Sequence, residues 1–308
     1  MTSSSPIDLS LLPVPDALEV IDFESIYSAR KQRLVDLFSE DVRQEVYETL
    51  ALESEPMSKL MQENAYREMV IRERVNQCVR RVLLAFAKGS DLDHIGARYY
   101  VYRLVVQAAD PNASPPLPLI MESDEAFLER IQDAYEGLSV AGPRAAYEFH
   151  ARSADGRVID ARAISPVPCD IEIYVLSFEG DGTASPELLA TVADAVNEED
   201  VRPLGDRVTV LSAEIVDFQV QAKVHIKTSG PGRAQALDLA RQQVTDYVSR
   251  RKRQGRSVWL SMLDALMHVE GVERVEIIQP AADIVLLDSQ AARCTAIEIM
   301  DADEASGA

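Results

Sequence analysis

The sequence predicts an α+β protein, with a long-helix region at its N-terminal end followed by two small α/β modules. Three observations predict it. From Phe23 to Phe86 apolar residues recur every three or four positions with no convincing strand. From Ser123 onward, strand-like runs alternate with helix-like ones. Val216, Phe218, Val220, Ala222, Val224 and Ile226 then occupy every even position of one run, with Asp217, Gln219, Gln221, Lys223 and His225 between them. That period belongs to a strand with one buried and one wet face.

Residues 1–22 read as an extended arm, rich in Ser, Pro and Leu up to Pro15 and without a helical period. Leu9, Leu11 and Leu12 are too apolar for a free tail, so the arm is expected to lie on a neighbouring domain or on another chain. Residues 23–110 form the helical region. In its first helix, from Phe23 to Leu50, Leu34, Leu37, Phe38, Val42, Val46 and Leu50 share one face. Ser54-Glu55-Pro56 stops that helix and opens the next, because proline is tolerated only in a first turn. The second helix is expected from Met57 to Ala87, roughly 45 Å long. Two such helices cannot cover both flanks of their stripes, so further helices are required. Leu34, Phe38, Val42, Leu60, Met69, Val75, Val82 and Phe86 are the expected bundle interface. Periodicity leaves open whether the later part of this chain or other chains complete it.

Gly89 to Arg98 separates the helical pattern from the mixed part. Gly89 reads as the glycine that ends the long helix, with Asp91 or Asp93 starting the next and Leu92 and Ile95 anchoring it. Asp91, Asp93 and His94 resemble a metal cluster in composition, but capping explains them without one. Gly89, Leu92, Asp93 and Gly96 are therefore assigned to a hinge. Asp110 to Pro116 opens a linker, residues 111–122.

The first α/β module is expected over residues 123–213, with Ser123 capping a helix and Gly142-Pro143 opening another. Strands follow near Val158 to Ile164 and Ile171 to Val175, then a helix from Ser185-Pro186 and a strand from Arg207 to Ser212. The second module, residues 214–300, contains the alternating strand, a loop from Thr228 to Gly232, helices over Arg233 to Gln254 and Ser257 to His268, and two closing strands. Residues 301–308 read as an acidic tail. A helix, a glycine, a strand, a proline and an Asp-Ile pair recur at Gly156, Pro166 and Asp170 and at Gly271, Pro280 and Asp283, a weak internal similarity.

No nucleophile–base motif, metal-ligand spacing or phosphate loop is present in the sequence. His94, His150, His225 and His268 fall in four separate elements. An enzyme reading would have to assemble a site from residues such as His150, Asp155 and His225. No catalytic residue, cofactor or metal is assigned. The charge of -20, from 51 acidic and 31 basic residues among 308, opposes nucleic-acid and anionic-membrane partners. Arg250, Arg251, Lys252 and Arg253 depart from that average. They suit a helix C-terminus and are also a candidate docking patch for an acidic surface, such as another copy of this chain. Single, scattered Cys78, Cys169 and Cys294 fit a reducing compartment, and no leader or spanning segment is read, so synthesis in the cytoplasm is expected.

The order of landmarks carries a family resemblance. Gly89, Leu92-Asp93-x-x-Gly96, Arg103, Glu122 with Ser123-Asp124-Glu125, Arg130-Ile131, Ser139-x-Ala141-Gly142, Tyr147 and Val201 to Val208 resemble the baseplate J-like proteins of contractile-tailed phages and R-type bacteriocins. Leu12-Pro-x-Pro15, Asp22-Phe23-Glu24, Gly271-Val272 and Pro280 extend the similarity over nearly the whole chain, whereas Tyr99-Tyr100 and Arg250 to Arg256 depart from it. The resemblance implies a non-enzymatic wedge protein. It implies assembly with a second copy and with tail protein I into a sixfold ring around the central spike, and relay of the sheath-contraction trigger. It also implies contacts with other wedge, hub or sheath-initiating proteins, and an N-terminal helical bundle shared between chains.

Overall fold

The computed structural model describes residues 7–227 and 231–302. They divide into two compact units, residues 7–98 and the residues from Tyr99 onward. The first six residues of the arm, the glycine-loop residues 228–230 and the tail beyond residue 302 lie outside the described residues.

In the N-terminal unit, α1 spans Phe23–Asp36, α2 Arg43–Leu50, α3 Pro56–Val82 and α4 Gly89–Ala97. Asp22 caps α1, its carboxylate accepting from the Ser25 N–H and hydroxyl at 2.7 Å each. The single helix expected from Phe23 to Leu50 is two. Arg43 explains the break locally, because its guanidinium donates to the carbonyls of Phe38 at 2.9 Å and Asp36 at 3.1 Å. Those carbonyls lie at and just beyond the end of α1, where intrahelical partners run out. Pro56 opens α3 as expected, and the buried Ser58 hydroxyl closes the preceding turn by donating to the Leu50 carbonyl at 2.8 Å.

The side of α3 facing α1 is small and polar. Ala65 is fully buried there, and Arg30 of α1 forms an ion pair with Glu68 that Arg72 joins from one turn on. Hydrogen bonds from Arg30 and then Arg72 hold the Glu68 carboxyl below its ordinary range. Asn76 pins the arm, accepting from the Glu19 N–H at 3.1 Å and donating to its carbonyl at 2.9 Å. The arm's leucines do not do this work: Leu11 is 81% and Leu12 52% exposed.

The C-terminal unit begins with a two-stranded hairpin, β1 (Val105–Gln107) and β2 (Ile120–Met121). Residues 111–116, read as a linker, form its tip. Mutual Asp110–Leu117 backbone bonds of 3.0 and 2.9 Å close it, and Asp110 caps the Asn112 N–H. The Pro- and Asn-rich composition supplies the turn chemistry of this tip.

Helices α5 (Asp124–Asp133) and α6 (Arg144–Ala154) precede the first sheet, formed by β3 (Val158–Val167), β4 (Asp170–Ser177) and β5 (Arg207–Ser212). The pair β3–β4 is an antiparallel hairpin, and α7 (Pro186–Val196) carries the chain over to parallel β5. Ile173, Val175, Leu188, Val192 and Val196 are fully buried between sheet and helices. Each contributes about 1.5–3 kcal/mol by leaving water.

The second sheet has the order β7–β6–β8: β6 is Glu214–Ile226, β7 Val272–Gln279 and β8 Gln290–Asp301. Helices α8 (Pro231–Arg250) and α9 (Leu260–Met267) cover one face. The alternation in β6 holds: Phe218, Val220, Ala222, Val224 and Ile226 are buried against Ala240, Val244, Leu263 and Met267. The suspected repeat does not extend to topology. β3 and β4 pair with each other, whereas β7 and β8 flank β6, and Asp283-Ile284 makes only an isolated bridge through Ile284 to Val258. Asp301, placed in the acidic tail, is the buried last residue of β8 and is ion-paired to Arg233.

Ala213 alone separates β5 from β6, and its N–H donates to the Val175 carbonyl at 2.9 Å. The two modules thus belong to one compact unit.

Candidate assembly interface

In the N-terminal unit, α3 carries an open apolar surface. Of the eight residues assigned to a bundle interface, Leu34, Val42 and Met69 are half-buried and Phe38, Leu60, Val75, Val82 and Phe86 are exposed; none is buried. Val75 is 56% and Val82 64% exposed. Sequence periodicity grouped α3 into one stripe, but two faces are involved. Ser58, Ala65 and Asn76 are the buried ones, while Met57, Leu60, Ile71, Val75 and Val82 are in water. Ile71, 64% exposed, was not singled out as interface. Its signal was a spacing of four to Val75, masked by the arginines around it.

The stretch from Gly89 to Arg98 differs from its expected form. α3 ends at Val82, where Leu83 turns extended, so Phe86 lies beyond the helix rather than on its stripe. Gly89 opens α4 instead of closing α3, with φ +53°, a left-handed conformation that glycine adopts without penalty. Leu92 is fully buried, Ile95 and Gly96 are buried, and Asp93 is exposed. Arg81 stands 3.6 Å from Asp91 across the turn. The division between the two units falls directly after Arg98.

Two groups of landmark residues converge within the C-terminal unit. Arg130 donates to both Glu122 carboxylate oxygens at 2.7 Å and to the Tyr102 carbonyl at 2.6 Å. Arg103 reaches the Glu122 carbonyl and the Asp124 carboxylate at 2.7 Å each, and its guanidinium lies 4.7 Å from the centre of the Phe127 ring. In the second group the Tyr147 hydroxyl donates to Asp206 at 2.9 Å, while Arg202 donates to the Asp206 carbonyl at 2.7 Å. Burial, and then the Asp206 acceptor, push the Tyr147 phenol above its ordinary pKa. Gly142, with φ +73°, packs so closely that a Cβ would lie 2.8 Å from Pro203 and 2.9 Å from Asp206. Both groups bond internally and hold loops against helices, although the buried Arg202 Nε has no hydrogen-bond partner.

The basic run is not one surface. Arg250 donates to the Asp246 carbonyl at 3.1 Å, and Arg251 lies 5.0 Å from the Tyr247 ring centre. Arg253 pairs with Glu129 of α5 at 2.6 Å, and the Gln254 N–H donates to the buried Asp160 at 3.0 Å. Arg253 therefore joins the modules, which corrects its assignment to a docking patch; Lys252 is half-buried. The residues of the enzyme reading are not brought together. His150 meets the Gly137 carbonyl at 3.1 Å, Asp155 is paired with Arg157 at 2.9 Å, and His225 stands in the second sheet beside Glu276 at 3.9 Å. Among the described residues no group of His, Cys, Asp and Glu could hold a metal ion, and no helix is long and apolar enough to cross a membrane.

Comparison with known proteins gives the class, a structural component of a phage baseplate. Residues 53–110 match the Baseplate J-like N-terminal domain, residues 139–212 the Baseplate J-like central domain, and residues 218–300 the Baseplate J-like protein C-terminal domain. The chain belongs to the baseplate J-like family. It is 50% identical over 294 residues to baseplate protein J of Escherichia phage P2, covering 96% of this chain and 97% of that protein. Among solved structures, a chain of the anti-feeding prophage baseplate aligns at 15% identity with a TM-score of 0.40, over 58% of this chain and 44% of that one.

Proposed function

We propose that this chain is a baseplate wedge protein. It assembles with a second copy of itself and with tail protein I into a sixfold ring around the central spike, and it relays the trigger for sheath contraction. It acts by assembly rather than catalysis. It is made in the bacterial cytoplasm, enters the virion or bacteriocin particle, and contacts other wedge, hub or sheath-initiating proteins. The observation that carries this reading is the open apolar face of α3, with Ile71, Val75 and Val82 each more than half exposed. Apolar surface of that length is removed from water in a stable particle. Gly89, Leu92, Asp93 and Gly96 serve as the joint that sets the angle between the shared bundle and the ring-forming modules.

Co-expression with tail protein I tests it. The unmodified chain is expected to co-purify as a complex, and Val82→Asp to abolish the complex while the C-terminal unit stays resistant to proteolysis. A chain that remains monomeric beside tail protein I, or a Val82→Asp variant that assembles normally, refutes it.

A further inference from the structure

The residue spacing along α3 has a finer pattern than amphipathicity. Met57, Met61, Asn64, Glu68, Ile71, Val75, Cys78 and Val82 are spaced alternately by four and three residues. That is a period of 3.5, the signature of a face that another helix will follow along a coiled-coil seam. Its second half, Ile71, Val75, Cys78 and Val82, is apolar and exposed throughout. One flank is occupied by α1 through Ala65. The other carries Arg67, Arg74 and Arg81, seven residues apart.

Those arginines decide what can dock. From Arg67 to Val82 there are five arginines against two glutamates, so this half-helix is cationic within a chain of charge -20. Arg67 and Arg81 meet only exposed carboxylates, Glu63 and Asp91, and Arg74 has no acidic partner among the described residues. Self-pairing is opposed in either direction. Parallel and in register, Arg67 would face Arg72 of the copy. Antiparallel, the row of flanking arginines would face itself. Like charges in flanking positions destabilise a pair of helices.

We infer that the second half of α3 takes a helix from a different chain, one whose apolar seam is bordered by aspartates or glutamates. The inference rests on the bundle reading above and adds the chemistry of the partner.

The test uses the full chain and two synthetic four-heptad peptides with Ile and Leu in the seam, one flanked by Glu and the other by Lys. Binding is followed by fluorescence anisotropy at low and high salt. The Glu-flanked peptide is expected to bind about tenfold more tightly at low salt, because its three flanking pairs attract where those of the Lys-flanked peptide repel, with the difference shrinking at high salt. The triple variant Arg67→Glu/Arg74→Glu/Arg81→Glu is expected to reverse the preference, and Val75→Asp to bind neither peptide. Equal or tighter binding of the Lys-flanked peptide overturns the inference and leaves the bundle reading standing. Undiminished binding by Val75→Asp overturns both. Self-association in sedimentation, with a Cys78–Cys78 link on mild oxidation that Val75→Asp abolishes, identifies the occupant as a second copy and also overturns the inference.

Discussion

Removing the Arg130 guanidinium should cost the C-terminal unit more than any surface change in the chain. The side chain is 5% exposed, against 7% for its partner Glu122, so water cannot replace it. Arg130→Met takes both short bonds from Glu122, leaving that carboxylate with the Leu104 N–H at 3.2 Å, and strips the Tyr102 carbonyl of its donor. Breaking a buried pair from one side costs about 3–5 kcal/mol, because a charge is left buried without compensation. At roughly 2–4 °C per kcal/mol for a unit of this size, the melting temperature should fall by roughly 6–20 °C. The double variant Arg130→Met/Glu122→Leu removes the stranded charge and should regain a large part of the loss. Urea unfolding of the single and double variants completes the cycle. A single variant within about 1 kcal/mol of the parent refutes the reasoning. So does a double variant as unstable as the sum of the singles. A stable Arg130→Met that failed to assemble would instead assign the cluster to an interface.

Three further outcomes are expected. Gly142→Ala combines a left-handed φ of +73° with a Cβ 2.8 Å from Pro203, and should destabilise by about 1–3 kcal/mol in thermal melts; a loss below about 0.5 kcal/mol would mean the loop yields freely. Asn76→Ala removes both bonds to Glu19, costs about 1–3 kcal/mol, and should speed proteolysis of the arm before Asp22 without changing the digestion of the C-terminal unit. Glu148 is raised above its ordinary 4.5 by burial, which outweighs Arg162, so the folded state holds its proton to higher pH than the unfolded one. Its contribution to stability therefore declines as pH rises above that range. Glu148→Gln should gain on the parent as pH rises through the window and lose that gain in acid; a difference independent of pH would contradict the shift.

Much of the secondary structure was legible because period and punctuation agreed. The even positions of β6, Pro56 and Ser185-Pro186 at helix starts, and Ser123 as a cap all act through local geometry. The break between α1 and α2 was not, because it depends on Arg43 reaching back to two carbonyls, which no residue pattern announces. Gly89 was recognised as special but assigned to the wrong helix end, since a left-handed glycine can precede a helix as well as follow one. For the candidate interface, periodicity found an apolar α3 but not which side α1 covers. Arg253 misled for a related reason: its partner Glu129 is 124 positions away, beyond any local window.

The short passage from β5 to β6 bears on how the molecule opens. With Ala213 alone between the strands, and with Arg253 and Gln254 reaching back to Glu129 and Asp160, the end strand β5 of the first sheet and the central strand β6 of the second cannot leave their sheets without pulling on each other. Amides at the centres of β4 and β6 should therefore exchange with solvent through one common opening, as a single cooperative foldon, although the chain there contains two separate hydrophobic cores.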